Sequence, residues 1–170
     1  LSGDNSGYYG LLDVGNGTLN LASNTAAGQG TVQLDSSCAT VAFTDDATAP
    51  VLHGLSGDAG SLVVPDGTNL TINMDNANAG HEFGGVISGA DGTDTTASLT
   101  VTQTVDANDT NLIYLSGHNT YSGGTTISGQ AALALGSADS AGTGPITIKS
   151  NGGGLVLNAN VNFTNALVFN

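Results

Sequence analysis

The sequence predicts an all-β chain wound as a parallel β-solenoid of about 20–25 residues per turn. Three observations point there: short runs of alternating polar and apolar residues, turn residues between them, and a long-range internal repeat. The runs come in order along the chain as Thr18-Leu19-Asn20-Leu21, Thr31-Val32-Gln33-Leu34, Leu70-Thr71-Ile72-Asn73-Met74, Leu99-Thr100-Val101-Thr102, Leu133-Ala134-Leu135 and Ile146-Thr147-Ile148. Alternation of this kind puts successive side chains on opposite faces of a strand. The breaks fall at Asn16-Gly17, Asp66-Gly67, Asp91-Gly92, Ser122-Gly123-Gly124 and Gly152-Gly153-Gly154, combinations that bend the backbone. No stretch of ten residues keeps a helical period.

Residues 1–44 repeat as residues 115–158, at a fixed offset. Leu1-Ser2-Gly3-Asp4-Asn5 aligns with Leu115-Ser116-Gly117-His118-Asn119, and Gly10, Gly15 and Gly30 fall on Gly124, Gly129 and Gly144. Leu19 and Leu21 meet Leu133 and Leu135; Val32 and Leu34 meet Ile146 and Ile148; Val41 and Phe43 meet Leu155 and Leu157. Within a copy, the step from Leu19 through Val32 to Val41 totals about 22 residues, which suits one three-sided turn. The 170 residues would then make about seven or eight turns, stacked about 4.8 Å apart into a rod about 35 Å long. Leu19, Leu21, Val32, Leu34, Leu133, Leu135, Ile146 and Ile148 are expected to point inward. The chain reads as a single solenoid segment over 1–170. It opens at Leu1 directly on a repeat and closes in the alternation of Val161-Asn162-Phe163 and Leu167-Val168-Phe169, so further turns are expected at both ends.

Composition narrows the function classes. The chain has 1 Lys, no Arg, 13 Asp and 1 Glu, a formal net charge of −13. One cation cannot neutralise a phosphate backbone, which argues against nucleic-acid binding, and anionic membrane surfaces would repel the chain. The apolar runs are too short for a transmembrane helix, and no direct membrane insertion is expected. Helix formers are scarce, while Gly, Thr, Asn and Ser number 26, 21, 17 and 15. The 13 Asp suit an exposed rod kept soluble by its own charge.

The stretch Leu115-Ser116-Gly117-His118-Asn119-Thr120-Tyr121-Ser122-Gly123-Gly124-Thr125-Thr126-Ile127-Ser128-Gly129 closely resembles the passenger-associated β-strand repeat of bacterial autotransporters. Leu133, Leu135-Gly136-Ser137-Ala138 and Gly142-Thr143-Gly144-Pro145-Ile146 continue the pattern, and Phe83-Gly84-Gly85-Val86-Ile87-Ser88-Gly89 resembles the segment that precedes it. The first copy departs from it, with Gly7-Tyr8-Tyr9-Gly10-Leu11-Leu12-Asp13 in place of Tyr121-Ser122-Gly123-Gly124-Thr125-Thr126-Ile127. The resemblance implies a right-handed parallel β-helix within an exported passenger, displayed outside the outer membrane of a Gram-negative bacterium. It implies a scaffold or adhesive role, with host or surface glycans and proteins as the ligands a rod of this kind meets.

The chemistry-bearing residues are few. A β-helical lyase would want a strong base, and Lys149 is the one cation. A hydrolase would want two carboxylates across a cleft. The close acidic pairs, Asp45-Asp46, Asp91 with Asp94 and Asp106 with Asp109, sit in turn-rich sequence and read as solvated turn residues. They offer Ca²⁺ at most a loose site, and no cofactor is expected. His53, His81 and His118 lie in unlike contexts and read as turn or surface residues. Cys38 allows no internal disulfide and is expected as a small buried apolar residue. Thr100-Val101-Thr102-Gln103-Thr104 has the Thr-x-Thr form of ice-binding solenoids, but such a ladder must recur on every turn and is visible once, so a half-exposed strand is expected. Asn119 is expected to satisfy backbone groups at a turn, and Tyr121 to cap the core with its ring.

No catalytic, cofactor or metal residue is assigned, and no enzymatic activity is expected. The expected function is a structural or adhesive segment of an exported surface protein. Its partners would be further turns of the same longer chain or neighbouring copies. The alternatives are a subunit of an extracellular filament joined end to end and, less well supported, a polysaccharide-acting β-helix enzyme.

Overall fold

The chain winds as a parallel β-solenoid with three faces. The computed structural model describes residues 1–74, 82–90, 96–103, 112–151, 153–158 and 160–170. The first turn holds β1 (Leu12–Asp13) and β2 (Gly17–Leu21). The second holds β3 (Val32–Gln33), β4 (Ala39–Phe43) and β5 (Val51–Leu52), and the third β6 (Leu55–Ser56), β7 (Ser61–Val64) and β8 (Asn69–Asn73). The fourth holds β9 (Glu82–Phe83), β10 (Val86–Gly89) and β11 (Ser98–Gln103). The remaining three passes hold β12 (Leu112–Leu115) with β13 (Thr125–Gly129), β14 (Ala132–Leu135) with β15 (Ile146–Ile148), and β16 (Gly154–Leu157) with β17 (Leu167–Phe169).

Strands pair with those one turn before or after them, always in parallel. The first face runs β1-β3-β6, continues through a Gly57–Phe83 bridge to β9, and goes on as β12-β14-β16. The second is β2-β4-β7-β10, and the third is β5-β8-β11-β13-β15-β17. Among the described residues there is no helix.

Alternation sets what lies inside. In β4, Ala39, Val41 and Phe43 are buried, while Thr40 and Ala42 are half-buried on the outer side. In β11, Leu99, Val101 and Gln103 point inward, and Ser98, Thr100 and Thr102 outward. Leu21, Val32, Leu34, Leu133, Leu135 and Ile146 are buried, and Leu19 and Ile148 are partly buried against them. All eight residues expected inside therefore face the core. Their columns are continuous because parallel pairing stacks like positions: Leu70, Leu99 and Thr125 in one, Ile72, Val101, Ile127 and Ile148 in the next.

The turns differ in length, which corrects the expected number. The step from Val51 to its partner Thr71 is short, but those from Thr71 to Thr100 and from Glu82 to Tyr114 are half as long again. The seven strands of the first face, from β1 to β16, are therefore separated by six full turns, and the chain makes about six turns, not seven or eight. At about 4.8 Å per strand the stack rises about 29 Å. The expected period holds where turns are tight, as from Thr18 to Thr40, and is exceeded from Thr71 to Thr100 and from Glu82 to Tyr114.

Cys38 is a second correction. It is exposed, not buried. It ends the turn before β4, and the alternation of that strand gives the first inward position to Ala39.

One inward strand residue departs from the apolar rule with no partner for its polar atoms. Gln103 is 1% exposed, and neither its Nε2 nor its Oε1 has a hydrogen-bond partner among the described residues. A buried amide without partners carries its full desolvation cost. Gln103→Met, close in shape and free of that cost, should stabilise the protein by about 1–3 kcal/mol, read from the shift in urea midpoint. An unchanged or lower midpoint would mean that the amide is satisfied in solution.

Candidate functional site

The motif from Leu115 to Gly129 supplies the densest set of buried polar side chains. The second face stops forming strands after β10, and residues 119–121 take its place in the next turn. Thr120 N still donates to Ile87 O, at 3.0 Å. Asn119, 2% exposed, bridges three turns. Its Oδ1 accepts from Ile87 N below at 2.7 Å, and its Nδ2 donates to Ser140 O above at 2.5 Å. A side-chain amide thus replaces part of the missing backbone ladder, since it carries both a donor and an acceptor.

Tyr121 lies beside it, fully buried. Its Oη is 2.8 Å from Thr125 Oγ1, and Thr125 Oγ1 donates to Ala141 O at 2.9 Å. The Thr125 proton is committed to that carbonyl, so the phenol donates to Thr125. Burial pushes the Tyr121 phenol well above its ordinary range, only partly offset by Thr125. The turn above passes so close that a Cβ on Gly142, at φ +67°, would sit 2.5 Å from Tyr121 O and 2.7 Å from its ring. Glycine is required there on both counts. Gly117 has a matching constraint from below, where a Cβ would run into Gly85 O.

Several of these bonds recur in the first copy of the repeat. Asn5 Nδ2 donates to Ala26 O at 2.8 Å, as Asn119 does to Ser140 O. Ser23 Oγ donates to Gly3 O, as Ser137 Oγ does to Gly117 O. Gly28, at φ +74°, stands where Gly142 does. The pair His118–Asp139, 3.0 Å apart at the surface, has Asp4 and Thr25 as its counterpart, also 3.0 Å apart. The Ser6 backbone N–H, with help from Thr25, holds the Asp4 carboxyl below the usual carboxylate range. Asn165 uses a similar device two turns above the motif, donating to Gly142 O and Gly144 O at 2.9 and 2.6 Å.

The other candidates are dispersed. Asp45 and Asp46 are exposed in the turn after β4, Lys149 is exposed after β15, and His53 is half-buried beside β5. Asp91, Asp94, Asp106, Asp109, His81 and Thr104 lie outside the described residues. Among the described residues, no three His, Cys, Asp or Glu side chains come together as metal ligands would. The buried cluster around Asn119 and Tyr121 has the chemistry of a structural joint: every polar atom named in it is turned toward another part of the chain.

Tyr121 gives the joint a pH signature. The folded state keeps the phenol protonated, whereas the unfolded chain releases that proton above about pH 10. The unfolded state then binds fewer protons, so this contribution to stability is fully present below about pH 10 and lost as pH rises. Tyr121→Phe should cost about 1 kcal/mol at pH 7, for the lost hydrogen bond. The gap between the two proteins should narrow above about pH 10, since only the wild type carries the buried phenol. Urea midpoints of both at pH 7 and about pH 10.5 test this; a constant or widening gap would contradict it.

No protein-family model, curated protein or solved structure matches the chain.

Proposed function

We propose that this chain is a structural and adhesive segment of an exported surface protein, similar to an autotransporter passenger, which holds binding surfaces away from a Gram-negative cell and carries out no catalysis. The observation that supports the reading most is the use made of the motif that resembles the passenger repeat. Asn119 and Thr125 are buried and bonded to neighbouring turns, and Tyr121, buried with them, donates to Thr125. Residues placed in this way build a rod; they are not presented to a substrate. The rod's net charge of −13 suits a surface exposed to water.

The direct test is location. An antibody raised against the chain should label intact cells of the producing bacterium, and brief external proteolysis should remove the label. Labelling that appears only after the cells are permeabilised would contradict the proposal.

A further inference from the structure

The third face carries an array that no single strand of the sequence announces. The Cα partners running up its centre are Thr71, Thr100, Thr126 and Thr147, one on each of four adjacent strands. All four are half-buried on the outer side. A second outward column beside it holds Asn73, Thr102 and Ser128. The Thr-x-Thr run at Thr100 is therefore one rung of a ladder four turns long, not an isolated strand. No charged side chain stands at an outward position of β8, β11, β13 or β15; Lys149 follows only after the last of them. On a chain of net charge −13, that makes a neutral panel.

Spacing defines what such a panel recognises. Hydroxyls repeat about every 4.8 Å up the column and about 6.7 Å between columns, so the matching surface must itself repeat in two directions. No outward aromatic ring lies on these four strands to stack against a sugar, and no charge is present on them to hold an ion. A threonine offers a donor, an acceptor and a methyl at one place. A rank of them anchors water at fixed intervals, with the methyls limiting where that water sits. The first two threonines of the column are also pre-oriented. Asn69 Oδ1 accepts from Ser98 Oγ and from Thr100 Oγ1, both at 3.0 Å, and Asn69 Nδ2 donates to Thr71 Oγ1 at 3.2 Å. Side chains fixed before binding lose little freedom on binding. We propose that the third face binds ice, through the in-register column Thr71, Thr100, Thr126 and Thr147.

The inference needs only the solenoid, not export. The test is partition of the full chain into slowly grown polycrystalline ice, with ice-crystal shape followed in the microscope. The wild type should be enriched in the ice and should facet growing crystals. Thr126→Lys and, separately, Thr147→Lys place a charge in the column and should abolish both effects. Thr40→Lys, on the second face, should leave them intact. Circular dichroism of each variant confirms folding, and either of the two column variants suffices for the comparison. A wild type excluded from ice, a folded column variant that partitions like the wild type, or binding to crystalline cellulose or chitin without binding to ice would overturn the proposal.

Discussion

Parallel hydrogen bonding between successive turns is the interaction on which everything else depends. Each turn is a set of short strands with no local partner, and the strands find their partners only one full turn away along the chain. Without a neighbour, each turn would be a ring of unpaired edges around an open core. With neighbours, the strands become ladders and the inward aliphatics become continuous columns. The register is held tightly because a slip of one residue would exchange inside for outside on a whole strand. Ile127, between Val101 and Ile148 in its column, shows what is protected: each is a branched aliphatic meeting its like.

The second face shows how the stack survives where strands give out. Above β10, strand pairing gives way to Asn119, Thr125 and Asn165, whose side chains reach across turns. A carboxamide mimics a peptide group, so an asparagine at a corner substitutes for a rung of the ladder. The Asn5 and Asn119 bonds recur at the same offset as the sequence repeat. Local sequence therefore dictates the device, even though the two copies stand on different faces of the rod.

Much of the fold was legible because period-two alternation is local. Leu19 and Leu21, or Leu133 and Leu135, announce an inward face without reference to anything distant. The turn count was not legible. It depends on how many residues separate partners on successive turns, and the sequence from Glu82 to Tyr114 includes no signal that this turn is longer than the others. Cys38 was misjudged on residue type, although the alternation of Ala39, Val41 and Phe43 already places it outside. The threonine column was missed for a different reason. Thr-x-Thr within one strand appears once, whereas the repeat lies across strands, as Thr71-Ile72, Thr100-Val101, Thr126-Ile127 and Thr147-Ile148. A threonine before a branched aliphatic, once per turn, was the available sign.

The stacking register is tested most directly by distances between spin labels on outward positions of the third face. Labels at Thr71 and Thr147, far apart in sequence, stand on strands three spacings apart in the stack. Their backbone positions should lie about 14 Å apart, and those of Thr100 and Thr126 about 5 Å apart. A broad distribution, or a Thr71–Thr147 separation much greater than three strand spacings, would contradict the parallel solenoid.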